Sequence, residues 1–297
     1  MIKFSHRVIG FFARKLNAIN SRIEHKKNQA AEAVNENAWL SKFNDAGYFD
    51  HKLASGISIR LYKDSVLSKP IADGFENEEI DFLQRFLKKG DTFLDIGANI
   101  GLFSLEAVNR IGPEGRIFSF EPSPKTFARL KENVEVNNIR TIKPINIGLS
   151  NKEDILHINV SENGYDAWNS FAHSDDGKFH TTAEARVRKL DDVIKEEGIG
   201  EVSLVKLDVE GWEKFVLFGG EHFFKTQSPV VMVEFTESNT FAAGYHVQEL
   251  FDILQGWGYQ WYRYKDSSLV PEVKQLHYPY DNLFAIKVLD TVLKRIK

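Results

Sequence analysis

The strongest constraint on the fold lies in residues 92–104, TFLDIGANIGLFS. A short apolar run ends on Asp95, passes through Gly97, Asn99 and Gly101, and then turns apolar again. Glycines at such a boundary let the backbone turn tightly and approach a ligand with no side chain between. A buried strand that gives way to a helix in this manner belongs to a layered α/β arrangement. There, ligands sit beyond the carboxyl ends of the strands, near the point where strand order reverses.

The chain repeats this unit. GRIFSFEP (115–122) and NIRTIKPINIG (138–148) hold further strands, separated from the first and from each other by SLEAVNRI and SPKTFARLKENVEVN at helical spacing. EVSLVKLDVE leads into GWEKFVLFGGEHFF, and SPVVMVEF leads after a polar stretch into HVQELFDILQGWG. YQWYRY and NLFAIKV close the domain as strands joined by a long loop. This order predicts a mostly parallel sheet flanked by helices, with an antiparallel pairing near the end. Upstream, ISIRLY reads as a strand and FENEEIDFLQRFLKKGD as a helix stopped by Gly90, with Phe82, Leu83, Phe86 and Leu87 as its buried stripe. The expected organisation is a helical extension over 1–55, a lead-in strand and helix over 56–90, and a ligand-binding domain over 91–290 with an insert at about 150–188.

Charge and composition narrow the partners. With 38 Lys and Arg against 42 Asp and Glu, nothing overall favours nucleic acid. The absence of cysteine excludes disulfides, thiolate metal sites and cysteine nucleophiles. No apolar run approaches the roughly 20 residues that cross a bilayer, and VIGFFA is short for a secretory core, so a cytoplasmic protein is the default expectation. Residues 1–27 nevertheless carry seven basic side chains against Glu24 alone, with Val8, Phe12, Leu16, Ile19 and Ile23 at three- and four-residue spacing. Such a helix can lie on a membrane surface as a peripheral contact. It can equally pack on the protein's own core or on a second subunit in a homo-oligomer.

Glu121 ends the second core strand, 24 residues beyond Gly97, where a carboxylate commonly accepts hydrogen bonds from ribose hydroxyls. The pairing of glycine turn and distal acid fits NAD or S-adenosylmethionine. The run Gly97-Ala98-Asn99-Ile100-Gly101 lacks the three-glycine pyrophosphate fingerprint, which favours the cofactor without a pyrophosphate and leaves an NAD-dependent oxidoreductase as the alternative. Phe120 and Leu149 are adenine neighbours by position, and equally sheet-core residues.

Residues 75–104, with FEPSPKTFARLKENVEVNN and VRKLDDVIKEEGIGEVSLVKLDVEGWEKFVLFGG, resemble the FkbM family of S-adenosylmethionine-dependent methyltransferases. The resemblance runs from about Glu76 to Val288 and implies a Rossmann-like class I methyltransferase fold with a seven-stranded sheet. It also implies that Asp95, Gly97, Asn99 and Gly101 cradle the amino-acid part of the cofactor, that Glu121 holds the ribose, and that Asn146 and Gly148 border the adenine. O-methylation of a sugar, glycan or other polar metabolite is the implied activity.

Two segments carry acceptor candidates. In VKLDVEGWE, Lys206 and Asp208 fall on one side of a strand, and Glu210 and Glu213 lie where a helix begins. Glu213 suits a helix N-terminus, whereas Asp208 and Glu210 are candidates for orienting or deprotonating a hydroxyl. Glu234 ends the next strand. If the two strands are neighbours, Asp208 and Glu234 can hold a hard divalent cation such as Mg²⁺ or activate the hydroxyl directly, metal-free base chemistry being the simpler reading. The insert contributes Tyr165, Trp168, Asn169 and Ser170. It reads either as an acceptor-binding cover or as a small hairpin packed on the sheet, and the family resemblance places Asn169 and Ser170 near the acceptor. A non-catalytic ligand-binding protein of the same fold is the remaining alternative.

Overall fold

The structure is a computed structural model and describes residues 35–161, 170–172 and 180–297. The amphipathic segment 1–27 and residues Tyr165, Trp168 and Asn169 lie outside the described residues. Two compact units are present, Met1–Phe49 and Asp50–Lys297. In the described part of the first, residues 35–40 are helical (α1), and Trp39, Phe43 and Phe49 meet edge to face at 5.0–5.5 Å between ring centroids.

β1 (Tyr48–Lys52) and β2 (Ser58–Tyr62) form a two-stranded sheet, followed by α2 (Ser68–Asp73) and α3 (Asn77–Phe86). The core then alternates: β3 (Thr92–Ile96), α4 (Leu102–Ile111), β4 (Arg116–Phe120), α5 (Pro124–Val136) and β5 (Ile142–Ile145). The insert gives β6 (Gly148–Leu149), β7 (Asp154–Ser161) and β8 (His180–Arg188). After α6 (Leu190–Glu196) come β9 (Leu204–Leu207), α7 (Glu213–Gly219), α8 (Glu221–Thr226) and β10 (Val230–Phe235). The chain ends with α9 (Glu237–Ala242), α10 (Gln248–Gly256), β11 (Gln260–Lys265), β12 (Ser268–Pro271), β13 (Asp281–Ile286) and α11 (Leu289–Ile296).

The central sheet has the order β12-β11-β13-β10-β9-β3-β4-β5. From β5 to β10 all pairings are parallel, and β13 is inserted antiparallel between β10 and β11. The expected α/β architecture is therefore present, but the sheet has eight strands rather than seven. The extra strand, β12, lies in the stretch read as a long loop. It turns back on β11 through Asp266 and Ser267, both at positive φ (49° and 58°), and pairs Lys265 with Ser268. Two-residue hairpins of this kind ordinarily announce themselves by Asn-Gly or Asp-Gly, and Asp-Ser carries no such signal. Of the two readings of the insert, the hairpin is present in β7 and β8, and β8 also pairs with β6, which neither reading included.

Each strand alternates its side chains between two helical layers. Leu94, Ile96, Val205, Leu207, Val231 and Val233 join a core with Val216, Leu217, Phe223 and Leu250 from α7, α8 and α10. On the opposite face Phe82 of α3 packs on Phe284 at 4.4 Å between ring centroids. Parallel strands covered on both faces need apolar side chains throughout. Against that rule, Asp95, Lys206 and Glu234 are all buried at the carboxyl end of the sheet. The register pairs Asp95 with Lys206 and Glu234 with Asn282, so these polar groups share the face covered by α3 and α4.

Strand order reverses between β3 and β9, and there the two strand ends are locked together. Asp208 N donates to Ile96 O at 3.1 Å, and Gly97, at φ 82°, leaves so little room that a Cβ would stand 1.7 Å from Asp208 O. Gly97→Ala is expected to lose both about 1–2 kcal/mol for the left-handed backbone and about 1–3 kcal/mol for overpacking. Gly198→Ala, at φ 59° with nothing within 4 Å of its would-be Cβ, should lose only the first. Urea unfolding of the two variants checks this, and equal midpoints would contradict it.

Candidate active site

The β3–α4 turn is held by the chain's own hydrogen bonds. The amides of Gly97 and Ala98 both donate to Phe120 O at 3.0 Å, and Gly101 N closes the turn onto Ala98 O at 2.8 Å. Glu121 then fixes the turn from β4: its Oε2 accepts Asn99 N at 3.1 Å and its Oε1 accepts Ser123 N at 2.9 Å. Asp95 stands behind the turn. Its Oδ2 accepts Ser104 N at 3.1 Å and Ser104 Oγ at 2.5 Å, which ties the first turn of α4 to the strand. Burial raises its pKa, against the opposing pull of Lys206 and Ser104.

These residues open onto a cavity of about 710 Å³, within the usual range for small-molecule sites. Of the expected cofactor residues, Gly97, Asn99, Glu121 and Gly148 line it. Asp95, Gly101 and Asn146 support its walls instead; Asn146 Nδ2 donates to Glu121 O at 2.8 Å and Pro122 O at 3.2 Å, joining two loops. Phe120 and Leu149 are both core residues and wall residues, so the two readings of them coincide. A Cβ on Gly148 would lie 2.9 Å from the Phe171 ring, and Ile147, Leu149 and Phe171 line the cavity with it.

The other end of the same cavity is charged. β9 and β10 are neighbours, so Asp208 and Glu234 reach one rim, and Glu210 joins them from the following turn. Lys206 Nζ donates to Asp208 Oδ2 at 2.7 Å and lies 4.9 Å from the centroid of the Phe103 ring. Burial alone would lower the lysine's pKa, but Asp208, Asp95 and Glu76 outweigh it and hold the ammonium charged. Glu210 sits at φ 54°, its Oε2 accepting Asn239 Nδ2 at 2.7 Å and its backbone O accepting Ser170 Oγ at 2.6 Å. Ser170 thus lines the cavity and pins the insert to the β9–α7 turn. Glu213 has the structural role expected of it: Oε1 accepts Val209 N and Gly211 N, and Oε2 accepts Tyr245 OH.

Two lining residues escape sequence reasoning. Glu76 precedes α3 in a left-handed conformation (φ 52°), its Oε1 accepting Tyr280 OH at 3.0 Å and Asn282 Nδ2 at 3.4 Å. Tyr280 arrives just ahead of β13. Neither stands in a recognisable motif; only the insertion of β13 beside β10 brings them to Asp208 and Glu234. Burial, with Asp208 and Glu79 adding repulsion, pushes Glu76 up to about 7. Burial also raises Glu213 to about 7, and burial with repulsion from Asp208 raises Glu210 and Glu234 well above the ordinary carboxylate range.

A glycine turn with a distal acid shares one cavity with an acidic cluster at the switch point of a mostly parallel sheet. The Methyltransferase FkbM domain model matches residues 95–261, more than half of the chain, and the chain belongs to that family. Its cofactor is S-adenosylmethionine, which resolves the choice from NAD, and its domain is a methyltransferase domain. The chain is 24% identical over 181 residues to the 2-O-methyltransferase NoeI of Sinorhizobium fredii, spanning 57% of this chain and 73% of that protein. It is 27% identical over 146 residues to the hexuronic acid methyltransferase AglP of Haloferax volcanii, spanning 48% of this chain and 56% of that one. The solved FkbM methyltransferase of Methylobacillus flagellatus aligns at 16% identity over 66% of this chain and 43% of its own, with a TM-score of 0.41, a distance at which it carries no functional weight.

The raised carboxyls make stability depend on pH. A carboxyl whose pKa is higher in the folded chain binds its proton more tightly there, so deprotonation favours unfolding. With Glu76 and Glu213 near 7, stability should fall as pH rises from the ordinary carboxylate range, about 4.5, through 7. Glu213→Gln keeps an oxygen for the Val209 and Gly211 amides but cannot ionise. In chelator-containing buffer its melting temperature should drop less between pH 6 and pH 8 than the parent's, and an unchanged drop would contradict the assignment.

Proposed function

We propose that the domain transfers a methyl group to a hydroxyl oxygen of a sugar or glycan. The observation that carries this reading is the meeting, in one cavity, of the Gly97–Glu121 half with Asp208, Glu210 and Glu234. A polyhydroxyl compound needs acceptors and donors around several hydroxyls, and this end offers the carboxylates with Lys206, Asn239 and Tyr280. The names of two relatives, one a 2-O-methyltransferase and one a hexuronic acid methyltransferase, support oxygen as the nucleophile and a sugar as its bearer.

S-adenosylmethionine, when bound, supplies an electrophilic methyl on a sulfonium. Glu121 receives the ribose diol on its two pre-positioned oxygens, while Ile147, Leu149 and Phe171 flank the base. The turn from Gly97 to Asn99 faces the amino-acid part. On the acceptor side, Asp208, Glu210 and Glu234 accept hydrogen bonds from neighbouring hydroxyls and align one oxygen for in-line attack, which removes much of the entropic barrier to a two-substrate reaction. Glu76 takes the hydroxyl proton. A base poised near neutrality is the efficient choice for that step, and Tyr280 and Asn282 steady one of its oxygens while the other stays available.

Methyl transfer to a panel of uronic acids, deoxysugars and lipid-linked glycans, read by product mass, tests the proposal. Glu121→Gln should weaken S-adenosylhomocysteine binding by about 1.5–3 kcal/mol, the worth of a hydrogen bond to a charged group. Asp208→Asn and Glu76→Gln should leave that binding intact and slow turnover by about 10²–10⁴-fold, the usual loss with general acid–base assistance. Glu76→Gln should in addition flatten the rise of kcat with pH around 7. Full turnover in both acceptor-side variants would place the chemistry elsewhere.

A further inference from the structure

The acceptor end carries more negative charge than the chain supplies donors to meet. Glu76, Asp208, Glu210 and Glu234 line the cavity there with Lys206 as the one ammonium among the described lining residues. Lys206 engages only Oδ2 of Asp208, and Asn239 engages only Oε2 of Glu210. Glu234 is 7% exposed, and its buried Oε2 has no well-formed hydrogen bond among the described residues, the Thr236 hydroxyl contributing only weakly. A buried carboxylate oxygen without a partner is strongly disfavoured unless a cation or a proton meets it. Oxygens of Asp208, Glu210 and Glu234 also lie within 4.8 Å of one another.

We propose that Asp208, Glu210 and Glu234 form a binding site for one hard divalent cation, Mg²⁺ or Ca²⁺, at the acceptor end of the cavity. Three carboxylates, two from the turn after β9 and one from β10, are the donor set such ions take. Ligand oxygens on opposite sides of Ca²⁺ stand about 4.6–5.2 Å apart, and around Mg²⁺ about 4.0–4.2 Å, so a spread of up to 4.8 Å matches Ca²⁺ as it stands, while Mg²⁺ would draw the carboxylates inward. The remaining positions face the cavity and are open to water or to two adjacent oxygens of an acceptor. Lys206 does not displace the ion, because its hydrogen bond leaves Asp208 Oδ1 free on the same carboxylate. The cation site deepens the acceptor reading above, but its occupancy stands independently of that reading.

The full-length chain, stripped with EDTA, is titrated with MgCl₂, CaCl₂ and MnCl₂ by calorimetry, with the Mn²⁺ electron-spin signal as a second readout. One ion per chain is expected, binding at or below about 1 mM, the weak end of oxygen-ligand sites. Glu234→Gln and Asp208→Asn, each shown to be folded by its unfolding midpoint, should each weaken binding at least tenfold and abolish the rise in melting temperature that the cation gives the parent. If Glu234→Gln does not fold, Glu210→Gln takes its place. Absence of heat and of any Mn²⁺ signal change up to 10 mM overturns the site. So does binding that survives both variants, since the ion then sits on other carboxylates. Cation binding without methyl transfer to any acceptor would uphold the site and count against the proposed reaction alone.

Discussion

The close approach of Gly97 to the carbonyl of Asp208 is the contact on which the site depends. It joins the ends of β3 and β9 where the strand order reverses, and the space left by the missing Cβ is already taken by backbone. The cofactor turn leaves one side of this junction and the acidic Asp208–Glu213 turn leaves the other. The two halves of the cavity therefore cannot move apart without breaking the sheet. For methyl transfer between two bound molecules this matters: relative placement is set by two adjacent hydrogen-bonded strands.

The same junction explains which parts of the structure were readable from sequence. Asp95 to Gly101 and Glu121 are local features, each set by its position at a strand end, and the structure brings all of them to one turn. Their division of labour was not readable. Asp95 and Asn146 look like ligand groups in the sequence, yet their hydrogen bonds go to Ser104 and to the Glu121–Pro122 backbone. A side chain that can bind a ligand can equally bind a neighbouring loop, and only the fold decides. β12 was missed because Asp266 and Ser267 adopt positive φ without glycine. α11 was missed because its apolar face shows its purpose only against α3, on which it packs.

Glu76 and Tyr280 show a different limit. They are 204 positions apart in sequence and meet through one hydrogen bond. Nothing local to FENEE or PYDN marks either as part of a site. Their meeting follows from β13 entering antiparallel beside β10, a consequence of strand order rather than of any motif.

Lys206 connects these levels. Its register partner is Asp95 on β3, its hydrogen-bond partner is Asp208 one step beyond β9, and the Phe103 ring of α4 lies over its ammonium. A lysine buried to 6% exposure is tolerated only because carboxylates surround it, and those carboxylates are tolerated in part because of the lysine. Burial, with repulsion from Asp208, raises the pKa values of Glu210 and Glu234, and the pull of Lys206 on Glu210 does not offset it. A site balanced in this way responds to whatever cation, proton or hydroxyl donor enters it. The Glu121 end of the cavity differs, because there backbone amides engage both carboxylate oxygens.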